Sequence, residues 1–256
     1  MKVGQRLWTR DELILAMNLY CKLPFGKLHA GNEDIIELSK LIDRSPGSVA
    51  FKLVNLASLD PSLQKRGIKG AQNSSKLDRE IWNEFYNNWD ILPFEAEKLW
   101  SSKSLKPILL PTEIEEIDDV RGYTRDQLIK ARVNQRLFRQ RVLSAYDNTC
   151  CITGIKQSEL LIASHIRPWK IDESNRLNPS NGIAINALHD RAFENGLLTI
   201  TPDYVVKVSS VLLNKSEDEC IYDYFTAYHD KPIILPSRFL PNKNFLRYHF
   251  EERFVP

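Results

Sequence analysis

Along this 256-residue chain the spacing of apolar positions changes period partway. Over residues 1–60 it is helical. Leu13, Leu15, Ala16, Leu19 and Tyr20 form a stripe behind Thr9, and Glu12 stands three residues after that threonine, the pairing of a capping box. The stripe ends before Pro24. Ile35, Ile36, Leu38 and Leu41 predict a second helix over 32–41. Ser45 and Pro46 open a third, carrying Val49, Ala50, Leu53, Val54 and Leu56. A fourth is expected over 77–89, where Ile81, Trp82, Phe85, Tyr86 and Trp89 share a face.

The pattern then lapses. Pro93, Pro107 and Pro111 punctuate a stretch ending in an acidic run, Glu113, Glu115, Glu116, Asp118 and Asp119, which reads as a solvated linker. From Arg121 helical spacing returns with Leu128, Val133, Leu137, Phe138 and Val142. After it the chain shortens its period. Glu159–Ile166 is expected as a strand ending near His165, and Arg167–Pro179 as a loop bracketed by Pro168 and Pro179. Asn181-Gly182 reads as a two-residue turn, Ile183–Asn186 as a second strand, and 187–195 as a helix closed by Gly196 and bearing His189. Strand, loop, strand, helix make a ββα unit. Residues 204–213 alternate as a strand. Pro232, Pro236 and Pro241 break the chain before an aromatic end, Phe245–Phe254, expected to cover the core or a partner.

Composition narrows the class. A hydrophobic share of 43% supports ordinary cores, and no apolar run is long enough to span a bilayer. The opening MKVGQRLW lacks a signal-peptide core, so a cytoplasmic protein without membrane contact is expected. Four cysteines (Cys21, Cys150, Cys151 and Cys220) do not make a disulfide framework. Net charge is only +2, yet its distribution is uneven. Lys65, Arg66 and Lys69 lie in a glycine-containing loop that suits phosphate contact. Arg121, Arg125, Lys130, Arg132, Arg136, Arg139 and Arg141 crowd one helix with only Asp126 as nearby compensation, as a phosphate clamp would. The aromatic face of Trp82, Tyr86 and Trp89 is either core or a cage for an extruded base.

The run Cys151-x-Thr153-Gly154, Ser164-His165-Ile166-x-Pro168, Asn181-Gly182 and Leu188-His189-x-x-x-Phe193-x-x-Gly196 resembles the HNH nucleases of the ββα-metal fold. The resemblance covers residues 121–205 and includes the preceding helix with Gln135, Phe138 and Arg139. It implies that His165 is the general base, that Asn181 orients it and that His189 holds a divalent cation, Mg²⁺ or Mn²⁺. Many relatives carry Asp before the first histidine. Here Ser164 stands there, a weak ligand that Asn181 or Asp190 would assist. Relatives with two Cys-x-x-Cys pairs bind structural zinc; adjacent Cys150-Cys151 does not suit it, and none is expected. Arg167 would brace the phosphate.

The N-terminal helices are similar to Myb-like and helix-turn-helix readers, whose third helix enters the major groove and would present Ser48, Lys52 and Asn55. A helical bundle for dimerisation fits the same pattern. The expected whole is an α+β chain: a helical DNA-recognition domain (1–92), a linker (93–120), and an HNH nuclease domain with a C-terminal extension (121–256). Its expected activity is cleavage of double-stranded DNA in restriction, by a homodimer, on a cytosine-modified target such as N4-methylcytosine. The alternatives are an orthodox sequence-specific restriction enzyme and a DNA-binding regulator with a degenerate nuclease core.

Overall fold

The computed structural model describes residues 6–65, 67, 74–86, 88, 89, 91–104 and 125–256, the side chains of 125–132 excepted. Arg66, Lys69, Arg132 and the acidic run therefore lie outside the described residues. The chain divides into two compact units, Met1–Gln140 and Arg141–Pro256. No helix among the described residues is long and apolar enough to cross a membrane.

The first unit is helical. It holds α1 (Arg10–Lys22), α2 (Glu33–Leu41), α3 (Pro46–Ala57), α4 (Pro61–Lys65), α5 (Lys76–Phe85), α6 (Ile91–Ser104) and most of α7 (Arg125–Ala145). The start signals work as read: Thr9 and Glu12 close a reciprocal capping box, and Ser45 caps α3 with Pro46 in its first turn. Glu12 also pairs with Arg6 and, at 2.8 Å, with Arg44, which ties the start of α1 to the turn after α2. Leu13, Met17, Tyr20, Ile35, Leu38, Leu53, Leu56, Ile81 and Phe85 fill the core. Residues 93–104, expected as linker, belong instead to α6, which packs on α1. Pro93 lies in the first turn, where no intrahelical N–H is lost, and Leu92 and Ala96 are buried.

Two expectations for this unit fail on burial. Lys52 and Asn55 do not face outward from α3: they are 7% and 3% exposed. Lys52 Nζ donates to both carboxylate oxygens of Asp78 at 2.8 and 2.9 Å, beneath the ring of Trp8. With Lys52 turned inward, α3 offers Phe51 and Gly47 to solvent and no basic residue. Nor is the aromatic helix an open cage. Trp82 stacks on Tyr86 at 4.8 Å, Tyr86 meets Trp89 edge-on at 5.2 Å, and Trp82 leans on Tyr20. Ring-to-ring contact leaves no slot for a base, so the stripe is core.

The second unit is mixed. The end of α7 leads into a turn, then β1 (Leu161–His165), β2 (Gly182–Asn186), α8 (Ala187–Glu194), β3 (Leu198–Ile200), β4 (Val206–Val208), α9 (Ser210–Leu213), α10 (Glu219–Tyr224) and α11 (Lys243–Glu252). β1 and β2 are antiparallel, with Leu161 opposite Asn186, Ser164 opposite Ile183 and His165 opposite Gly182. β3 and β4 form a second hairpin. α8 packs on β1, β2 and β3, so the ββα unit is one structural block.

Three local readings change. Asn181-Gly182 is not a hairpin turn: Asn181 closes a 3₁₀ turn over Pro179–Asn181, and Gly182 already begins β2. The strand expected over 204–213 is cut to Val206–Val208, because Ser209 caps α9 through the Val211 N–H. The strand expected over 159–166 begins at Leu161, after a 3₁₀ turn. Gly196 ends α8 at φ +71°, and a Cβ there would lie 2.1 Å from the Arg253 carbonyl oxygen. Both the left-handed turn and the approach of the C-terminal segment require glycine. The aromatic end forms α11 and lies against β3.

Candidate active site

His165 is the last residue of β1, where the chain leaves the hairpin for a loop that returns at Gly182. That loop is tied by its own side chains, as compact surface loops are. Asn181 is fully buried at its closing end. Its Oδ1 accepts the Arg167 N–H at 2.8 Å, while its Nδ2 donates to the carbonyls of Arg167 and Asn175 at 3.1 and 3.2 Å. Asp172 gathers Asn175 and Ser174 and forms a 3.0 Å ion pair with Arg167.

One product of this network is the carbonyl of Arg176, which lies 2.9 Å from His165 Nε2. A carbonyl only accepts, so the proton is on Nε2 and Nδ1 carries the lone pair. Burial pushes the His165 imidazole down to about 4, against the opposing pull of the Arg176 carbonyl. The ring is neutral at neutral pH, in the tautomer a general base at Nδ1 needs. Trp169 meets it edge-on at 5.5 Å.

His189 sits differently from the expectation. It is 1% exposed, in the first turn of α8, and both ring nitrogens are engaged. Nε2 donates to the Tyr224 carbonyl at 2.6 Å, and Nδ1 accepts from Asn186 Nδ2 at 3.2 Å. Asn186 caps the helix with its other end, its Oδ1 taking the His189 N–H at 2.9 Å. Phe225 and Tyr228 pack against the ring. Cys150 completes the cluster. Its Sγ accepts from Asn186 Nδ2 at 3.8 Å and from the Thr153 N–H at 3.4 Å. The second histidine thus knits α8 to α10 and to the turn before β1, and a cation could reach it only by displacing a carbonyl or an amide.

The expected metal ligands can be weighed one by one. Asn181 presents its oxygen to a main-chain N–H inside the loop, and Ser164 is a 5% exposed hydroxyl within the hairpin. Among the described residues, no three His, Cys, Asp or Glu side chains cluster around a common point. The next residue, Asp190, is a half-buried carboxylate in the first turn of the same helix. A single hard anionic oxygen donor fits a cation that keeps most of its shell as water and phosphate oxygens. Both nitrogens of His189 are already engaged, whereas Asp190 carries a hard anionic oxygen.

The family model for HNH endonuclease matches residues 150–201. The match spans the turn at Cys150, the ββα unit and β3, and supports an HNH nuclease, a hydrolase of DNA. HNH nucleases typically use a divalent metal. No curated protein matches the chain.

Apart from Arg167, the basic candidates fall outside the HNH segment. Arg167 lies in it, yet its guanidinium is paired with Asp172 and stands 4.8 Å over the Tyr248 ring. In the first unit Lys65 and Arg136 are exposed, while Ser48 and Arg139 are half-buried. Arg141 is fully buried and presents nothing to a phosphate. Sequence spacing missed Arg176, Asn186 and Tyr224, which act here through main-chain carbonyls or a cap. A carbonyl acceptor has no side-chain signature; only the Asn186 position before a helix start was open to a capping argument.

Proposed function

We propose that this protein is an endonuclease that hydrolyses phosphodiester bonds of double-stranded DNA in the restriction of foreign DNA. The observation that carries the reading is the 2.9 Å contact of His165 Nε2 with the Arg176 carbonyl, which assigns the ring proton to Nε2. Nδ1 takes a proton from water, the water oxygen attacks phosphorus, and the bond to the leaving 3′ oxygen breaks. Asn181 acts at one remove, by holding the loop that carries the Arg176 carbonyl. A bound Mg²⁺ or Mn²⁺, held by Asp190, would polarise the phosphate and stabilise the leaving oxygen. Lys65 and Arg136, both exposed, are basic residues suited to the phosphate backbone.

One ββα site cuts one strand, so a double-strand break calls for a two-fold dimer or two encounters, and of these we propose the homodimer. A cytoplasmic location fits restriction. A requirement for N4-methylcytosine rests on the likeness of the N-terminal helices alone, since Trp82, Tyr86 and Trp89 pack on one another. An orthodox sequence-specific enzyme needs no such pocket and fits the same site.

A second reading is favoured by two observations: both nitrogens of His189 are engaged, and the residue before His165 is serine. On that reading the chain binds DNA without cutting it. Plasmid DNA, modified and unmodified, incubated with the protein and Mg²⁺ or Mn²⁺ separates the two. Nicked or linear product supports the nuclease; intact plasmid under both cations with retained binding supports the regulator.

A further inference from the structure

Arg176 makes contacts that its carbonyl alone does not require. Its Nε–H donates to the Trp169 carbonyl at 2.8 Å, and its Nη2 pairs with Glu173 at 2.8 Å. The guanidinium carbon stands 5.3 Å over the Trp169 ring. That ring is the one lying edge-on to His165 at 5.5 Å. The contacts close a circuit. His165 binds the carbonyl of Arg176, the side chain of Arg176 binds the carbonyl of Trp169, and the ring of Trp169 returns to His165.

The geometry points to Arg176 as a positioning residue for His165, with Trp169 as the wall against which it is set. The imidazole can swing about its bonds to the strand, and the Nε2–H bond holds it only as firmly as the Arg176 peptide is held. Asn181 grips the peptide one residue earlier, at the Asn175 carbonyl. The Arg176 side chain grips from the other side, across the loop. A planar guanidinium does this in a way an ammonium cannot, because it bonds in its plane and stacks on the indole through its face. Misplacing a catalytic group by about 1 Å costs roughly 10²-fold in rate.

This inference rests on His165 being the general base, and its test has one arm that does not need cleavage. In full-length protein, long-range ¹H–¹⁵N spectra of the His165 ring should show the Nε2–H tautomer. Arg176→Met, which keeps the aliphatic stem and loses the N–H groups, should shift the ring toward a mixture of tautomers. It should lower kcat for plasmid cleavage by about 10²-fold with KM little changed. Arg176→Lys keeps the charge and should not restore kcat. Trp169→Leu, which leaves every carbonyl in place, should act in the same direction and serves if Arg176→Met does not fold. An unaltered tautomer with wild-type kcat overturns the inference. So does full rescue by lysine with the loss in KM, which would make Arg176 a phosphate contact. If the wild type cuts no DNA but Arg176→Met still shifts the tautomer, the positioning role stands and the nuclease reading falls.

Discussion

The imidazole of His165 gives its Nε2 proton to the main-chain carbonyl of Arg176, eleven residues along the chain, at 2.9 Å. A peptide carbonyl fixes the tautomer of the candidate base, and a loop of ion pairs and amide bridges holds that peptide still.

His165→Ala is expected to lower plasmid cleavage by about 10³-fold or more while leaving the affinity for the same DNA within a factor of two or so. Gel-shift titration in Ca²⁺ beside cleavage in Mg²⁺ separates the two quantities. Cleavage near the wild-type rate would remove His165 as the base.

The neighbouring pair on α8 should part company. Asp190→Asn is expected to weaken Mn²⁺ binding, followed by calorimetric titration, and to abolish cleavage. His189→Ala leaves the Tyr224 carbonyl and the Asn186 amide without their partner and opens a cavity, which costs about 2–4 kcal/mol. A stable His189→Ala protein that had lost its Mn²⁺ would return the metal to the histidine.

In the first unit Lys52 is a structural cation. Lys52→Met strands the Asp78 carboxylate in the core and is expected to destabilise the fold by about 3 kcal/mol. Changing Asp78 to Asn in the same protein should recover part of that loss. Urea unfolding reads both. The salt dependence of DNA binding should stay as in the wild type, since a buried ammonium releases no counterions; a shallower slope for Lys52→Met would put Lys52 on the phosphates.

Acid should loosen the second unit between two defined limits. His249 stacks on Phe193, bonds Thr199 and is pushed by burial down to about 4, as is His165. Above the ordinary imidazole value neither the folded nor the unfolded rings bind a proton, and stability sits on its plateau. As pH falls from about 6.5 to about 4 the unfolded rings protonate first, and stability declines by up to about 1.4 kcal/mol per pH unit for each ring. Urea midpoints taken from pH 7 to 4.5 should follow that slope, and His249→Gln should remove roughly half of it. The same slope in the variant would show that other groups carry the acid sensitivity.

Much of the architecture was legible residue by residue. Thr9 with Glu12, Ser45 with Pro46, and Gly196 are local instructions, since a cap or a left-handed turn is decided within a few residues of itself. The strand that ends at His165 was likewise written in its apolar run. Asn181-Gly182 misled, because the same dipeptide serves a hairpin turn or the end of a longer loop, and only the polar groups awaiting Asn181 at Arg167 and Asn175 distinguish the two.

By itself, then, the sequence determined the caps of α1 and α3 and the glycine stop after α8, that a ββα unit lies in the C-terminal part, and which histidine stands at a strand end. Tertiary structure alone decided which polar groups meet. It turned Lys52 inward to Asp78, closed Trp82 on Tyr86, and engaged both nitrogens of His189 with Tyr224 and Asn186. The physical reason is one of range. Capping and periodicity act over a turn of helix or a few residues of strand, whereas burial and hydrogen-bond pairing depend on partners brought together from distant parts of the chain.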